Sequence, residues 1–306
     1  MSEADTTWNP MQMAEIDSSV LRVITAFIDK TPNLPVHVHK LLEIVSDSKS
    51  DSLDVANAAS ADPGLVSKIL RVVNSSYYGL SNRTDNIHFA IVLLGFDEVR
   101  KIAVQTSFKE MFKEGAFGKA YTTDGLWKHS FLVSVCAESL WRDKDTKQAG
   151  DMLTFGILHD IGKFALFKLA IAMKKQGVST FKQSEELDGM SLMEKEEALF
   201  RLNHPVVGAL LAKKWELSER ICNIIEYHHH PLYYPIDTIP EAVVTDVATI
   251  AVADALIHHM DGEEDIAVPG PEYFEHLGLS PSLEACVTDE LQEKIEDARK
   301  FVSSSG

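Results

Sequence analysis

Thiols are scarce in this chain: Cys136, Cys222 and Cys286 are the only cysteines in 306 residues, and no CxxC spacing occurs. That scarcity excludes a disulfide framework and a thiolate metal site, and the three are read as free thiols of a reducing compartment. Also missing is a basic start followed by an apolar run, since the chain opens MSEADTTWNP. No window approaches the roughly 20 uninterrupted apolar residues that a bilayer span needs. The expectation is a cytoplasmic protein with no membrane partner. Cations are in deficit, with 29 Lys and Arg against 46 Asp and Glu and a formal net charge of -17. Such a field repels polyanions, which argues against a nucleic-acid partner and requires a local positive centre for any anionic ligand. Clean apolar/polar alternation between turn signals is lacking too, so strands are expected to be rare or absent.

What remains is helical periodicity almost throughout, in a chain long enough for one large or two moderate cores. Asp62 and Pro63 read as an N-cap and first helical position, with LVSKILRVVN behind them at helical spacing. Gly95 closes IHFAIVLLG, and Asp97 is placed to cap the helix after it. The segment KEGAFGKAYTTDG, residues 113–125, gathers glycine and turn formers and divides the chain into helical bundles of residues 1–120 and 121–306. Leu283, Val287, Leu291 and Ile295 recur at four-residue intervals and predict one last amphipathic helix. The stretch DVANAASADPGLVSKILRVVN resembles a helix-turn-helix, but its second helix offers only Lys68 and Arg71 as cations, so helix packing is the better account.

Polar residues interrupt the apolar helices of the second bundle in one recurring way. ILHDIGKFAL places His159 and Asp160 side by side in an apolar segment. A buried carboxylate either takes up a proton or has a cation beside it. In SERICNIIEYHHHP, capped by Ser218 and stopped by Pro231, the stripe Ile221, Ile224, Ile225 extends by helical spacing onto His228 and His229. In VATIAVADALI nine of eleven residues are apolar, so the helix carrying Asp254 is expected to be buried on most sides. His129 shares a face with Val133, Cys136 and Leu140, and His204 precedes Pro205 at the start of a helix. Each histidine alone fits a packed core imidazole, and Asp254 alone fits an internal ion pair. Their coincidence in one domain with few buried cations fits a shared divalent metal centre.

The order His129, His159-Asp160, His204, His228-His229, Asp254 resembles the ligand pattern of the HD phosphohydrolase superfamily. More closely, LPVHVHKLLEIV, SADPGLVSKILRVVNSSYYG and AIVLLGFDEVRKIA resemble the opening bundle of the HDOD (HD-related output domain) group of bacterial signalling proteins. LWKHS, GILHDIGKFAL, NHPVVGALLAKKW and YHHHP resemble that group's second half, so the resemblance runs from about residue 30 to about residue 260. It implies an all-α fold, an N-terminal helical bundle packed on an HD-type helical domain. It also implies that Asp160 bridges two ions, with His129, His159 and Asp254 around one and His204, His228 and His229 around the other.

Nitrogen and oxygen ligands suit Fe, Mn, Ni, Zn or Mg; the histidine-rich set weighs against Mg alone, and Fe or Mn is favoured. Lys163, four residues after His159, could reach a phosphate held there or be a solvated lysine. Two cations about 3.5 to 4 Å apart activate water and neutralise a phosphoryl group, which makes a phosphate ester of nucleotide type the expected substrate. Cyclic-dinucleotide phosphodiesterases of the related HD-GYP group carry Asp-Gly and Gly-Tyr-Pro after the paired histidines, where this chain reads HHHPLYYPIDTIP. Gly125 stands where a glutamate supports a third metal in that group, so two ions are expected. Many HDOD proteins act as non-catalytic output modules, and a metal- or ligand-binding module with a signalling protein partner is the alternative; a purely structural interaction protein is a third. His230 is expected to face solvent, and His258 to lie at the surface or to support Asp254 from one helical turn away.

Overall fold

The computed structural model describes residues 16–31, 63–74, 83–95, 121–175, 190–263 and 266–304, together with isolated positions elsewhere. Along the chain run α1 (Ser18–Lys30), α2 (Pro63–Val73), α3 (Ile87–Leu94), α4 (Thr123–Trp141), α5 (Thr146–Leu158), α6 (Ile161–Lys175) and α7 (Leu192–Phe200). Then come α8 (His204–Lys214), α9 (Glu219–Tyr227), α10 (Val244–Met260), α11 (Pro271–His276), α12 (Leu283–Cys286) and α13 (Asp289–Ser304). Among the described residues the only strands are β1 (Ala116–Phe117) and β2 (Tyr121–Thr122), an antiparallel pair with Ala116 opposite Thr122. The fold is all-α, and no helix among the described residues is long and apolar enough to cross a membrane.

The chain packs as two compact units, each discontinuous in sequence. The first comprises residues 1–32, 159–255 and 264–282, and the second residues 33–158, 256–263 and 283–306. This partition differs from the contiguous 1–120 and 121–306 division read from the sequence, because the chain changes unit at His159 and again within α10.

Local signals set most boundaries. Pro63 opens α2, and Gly95 ends α3 at φ 82°, its N–H donating to Ile91 O. The caps expected of Asp62 and Asp97 fall outside the described residues. The expected single C-terminal helix is two. Thr288 breaks it, its Oγ1 accepting the Leu291 N–H at 3.1 Å, and this cap starts α13 immediately after α12. Leu283, Leu291 and Ile295 are nonetheless buried as their spacing requires.

In the second unit α4 packs on α5 and on α13. Gly156 of α5 lies so close to α4 that a Cβ there would fall 2.4 Å from Ser134 Cα. In the first unit α8 packs against α6, α9 and α1. Lys214 ties α1 to α8 by donating to the carbonyls of Ile28, Asp29 and Thr31, so a cation meets the negative end of the α1 dipole. The α6–α8 crossing is closer still, for a Cβ on Gly162 would lie 1.8 Å from His204 O and 2.7 Å from Gly208 N. Only glycine permits that approach.

Gly162→Ala is therefore expected to destabilise the protein by about 1–3 kcal/mol, measured by urea denaturation, despite alanine's better helix propensity. An unchanged urea midpoint would show that the crossing relaxes without cost.

Candidate metal centre

Four local devices converge on one spot in the first unit. His159 and Asp160 form a two-residue turn between α5 and α6, not the continuous helix expected of the segment. Asp is a poor interior helix residue because its side chain competes for backbone groups, and both residues are buried at that break. Asn203 caps α8 by accepting the Val206 N–H at 3.2 Å, which puts His204 in the first helical turn ahead of Pro205. Ser218 caps α9 at its other end, accepting from Ile221 N. The buried stripe Ile221, Ile224, Ile225 then delivers His228 at the C-cap, followed by His229. Because Gly162 lets α6 touch the His204 carbonyl, the turn and the α8 start meet.

Asp160, His204, His228 and His229 each offer one ligand atom within 4.8 Å of all the others, and could hold a metal ion. Asp160 Oδ1 lies 3.3 Å from His204 Nε2 and 3.6 Å from His228 Nε2. His204 Nε2 lies 3.4 Å from His228 Nε2 and 3.1 Å from His229 Nε2. Atoms bound about 2.1 Å from one ion at angles of 90–109° stand about 3.0–3.4 Å apart, so the spacing suits a first coordination shell. The remaining ring nitrogens fix the tautomers. His204 Nδ1 donates to Glu196 Oε2 at 2.7 Å, and His228 Nδ1 donates to Ile225 O at 2.7 Å. In the neutral rings both Nε2 lone pairs then face each other and the Asp160 carboxylate, an arrangement that repels unless positive charge enters.

The titration behaviour expresses the same demand. Burial raises the Asp160 pKa, but His159 and then Lys163 outweigh it and hold the carboxyl well below its usual range. Burial disfavours the His204 cation, yet Glu196 overrides that and raises its pKa. Burial lowers His228 to about 4, with the neighbouring His159 and His204 opposing a charge there. His229 is pushed well below its ordinary value by burial and then by His228. His228 and His229 are thereby kept neutral beside an ionised Asp160, the protonation states a metal ligand needs.

His159 and Asp254 form a second gathering in the same unit, with ligand atoms within 4.8 Å. His159 Nε2 stands 3.4 Å from Asp160 Oδ2, so Asp160 presents one oxygen to each side. Asp254 retains accessible surface although its Oδ1 is enclosed, less burial than the apolar run of α10 predicted. His129 lies on α4 in the second unit, half-buried, its ring 4.8 Å from that of His258. His258 in turn pairs with Glu263 at 2.9 Å. Lys163 is no solvated lysine: its side chain is 13% exposed and its Nζ sits 2.6 Å from Asp160 Oδ2.

His230 contradicts the solvent-facing expectation. It is 7% exposed, packed between Tyr227 and Tyr234, because the chain turns into a 3₁₀ segment, His230–Leu232, at Pro231 instead of continuing the helix. Sequence reasoning missed Glu196, which is buried on α7. The signal was present: Met193, Glu196 and Phe200 fall at i, i+3 and i+7, so a carboxylate occupies the apolar stripe of MEKEEALF.

An all-helical protein with converging imidazoles and carboxylates is thus defined, and relatives give it a family. Residues 31–231 match the family model for the HDOD domain, and the chain belongs to that family. The fold is shared with an HDOD domain protein of unknown function from Geobacter sulfurreducens, at TM-score 0.69, 24% identity and coverage of 93% of this chain and 96% of that one. It is shared also with a candidate metal-dependent phosphohydrolase from Shewanella amazonensis SB2B, at TM-score 0.57, 17% identity and coverage of 94% and 100%. An uncharacterized protein of Treponema pallidum (strain Nichols) is 24% identical over 257 residues, 81% of this chain. This chain spans 47% of that relative's length.

Removing the Lys163 ammonium leaves the enclosed Asp160 short of one cation. Lys163→Met is expected to cost about 3 kcal/mol in chelator. Added Mn²⁺ is expected to restore most of that loss, read by urea denaturation with and without the ion.

Proposed function

We propose that this HDOD protein holds two divalent cations, iron or manganese, and hydrolyses a phosphate ester of nucleotide type within a signalling role. The observation that supports it most is the mutual approach of Asp160 Oδ1, His204 Nε2 and His228 Nε2 at 3.3–3.6 Å, three acceptors for which a cation is the common partner. Asp160, His204, His228 and His229 would hold one ion. His159 and Asp254 would hold the other beside Asp160, with His129 added on the strength of its position in the family's motif order. The donor set is nitrogen and oxygen without thiolate, which suits these metals.

When bound, the ions would supply water activation and neutralisation of phosphoryl charge. The chain's own residues do the rest. Glu196 and the Ile225 carbonyl hold two rings in the tautomer that presents Nε2. Lys163 carries a charge favoured, against the cost of burial, by Asp160 and Asp254, and its ammonium would hold a phosphate oxygen. Phosphate-containing small molecules and a signalling protein are the proposed partners.

A second reading has its own support. The Lys163 ammonium occupies Asp160 Oδ2 at 2.6 Å, the oxygen that would serve the second ion. With lysine in that place, one ion and one ammonium neutralise the site, and the protein is a non-catalytic module that passes a ligand-dependent conformation to its partner.

Elemental analysis of untagged protein purified without chelators, followed by a phosphoester panel with added Mn²⁺ and Fe²⁺, separates the readings. The hydrolase reading expects two ions per chain and turnover that falls to background in Asp160→Ala. One ion and no turnover supports the module, and no stoichiometric metal removes both. Metal at 100 times its Kd is expected to stabilise the fold by about 2.7 kcal/mol, checked by thermal unfolding across a metal titration.

A further inference from the structure

The α7–α8 connection is built to grip the start of α8. Arg201 caps α7 in the left-handed region at φ 56°, which turns the chain sharply between Phe200 and Asn203. Two consecutive carboxylates then reach across the turn to two consecutive residues. Glu197 Oε1 accepts from Asn203 Nδ2 at 2.7 Å, holding the residue that caps α8. Glu196 Oε2 accepts twice from His204, from its backbone N–H at 2.8 Å and from ring Nδ1 at 2.7 Å. Glu196 and His204 are both buried, so water does not compete for either bond. A carboxylate on Nδ1–H orients an imidazole and raises the basicity of its far nitrogen, and that nitrogen faces Asp160 Oδ1 at 3.3 Å.

We propose that Glu196 is a positioning residue: by holding His204 as the Nδ1–H tautomer it aims the Nε2 lone pair into the Asp160–His204–His228–His229 group and sets that group's affinity for a divalent cation. The affinity half rests on the metal-site reading above, while the tautomer half stands without it.

Full-length protein with ¹⁵N-labelled histidine, freed of metal by chelator and held at alkaline pH where the ring is neutral, reports the His204 tautomer by long-range ¹H–¹⁵N correlation. The wild type is expected to show a protonated Nδ1 and a bare Nε2. Glu196→Ala is expected to lose that preference and to weaken Mn²⁺ binding by about 10- to 100-fold, with helix content by circular dichroism unchanged. Glu196→Gln keeps a neutral acceptor, so it is expected to retain the tautomer and bind Mn²⁺ with intermediate affinity. If the alanine variant does not fold, the glutamine variant's affinity decides. An Nε2–H ring in the wild type, a tautomer unmoved in Glu196→Ala, or Mn²⁺ affinity within twofold of wild type in the variant measured overturns the proposal. A wild type that binds no Mn²⁺ but shows the tautomer and its loss overturns only the metal reading.

Discussion

The enclosure of the Asp160 carboxylate is the constraint from which the rest of the first unit follows. A side chain 1% exposed, kept ionised, must be met by positive charge from within the fold. The chain meets it with Lys163 on one oxygen and with imidazoles around both. Leucine and valine in its place would pack at no electrostatic cost, so the cluster is a costly feature of the fold and a candidate site.

Delivering that charge depends on backbone proximity more than on side-chain reach. Gly162 and Gly208 bring α6 and α8 into contact without intervening Cβ atoms, which sets the His159-Asp160 turn against the first turn of α8. The caps on α8 and α9 fix where each helix begins, and so which residue emerges at its functional end. Glu196 and the Ile225 carbonyl act one layer further out, choosing the nitrogen each ring presents. Stability and the geometry of the cluster in this way rest on the same interactions, since the glycine contact and the caps fix where the Asp160 and imidazole atoms meet.

Much of the candidate cluster was legible because burial and polarity conflict along the sequence. His228 and His229 stood where helical spacing called for apolar residues, and His159-Asp160 interrupted an apolar run, so periodicity alone marked them. Lys163 was ambiguous, since spacing gave its face but not the carboxylate it would meet. Glu196 went unnoticed among the charges of MEKEEALF, where Glu194, Lys195 and Glu197 are half-buried and only the helix's docking encloses this one fully. His230 was misread because the helical pattern stops at Pro231, and the 3₁₀ turn there rotates the ring between two tyrosines. The last helix was read as continuous because Leu283, Leu291 and Ile295 keep their face across the break that Thr288 introduces.

By itself the sequence determined that the protein is helical, acidic and thiol-poor, and that His159, Asp160, His204 and His228 stand at apolar positions of its helices, because these properties are periodic and local. Only the tertiary structure decided how the helices partition into two units discontinuous in sequence, which oxygen of Asp160 meets a lysine, and which ring nitrogens converge. Those outcomes depend on contacts between segments far apart in the chain, at distances of about 3 Å that no spacing rule encodes.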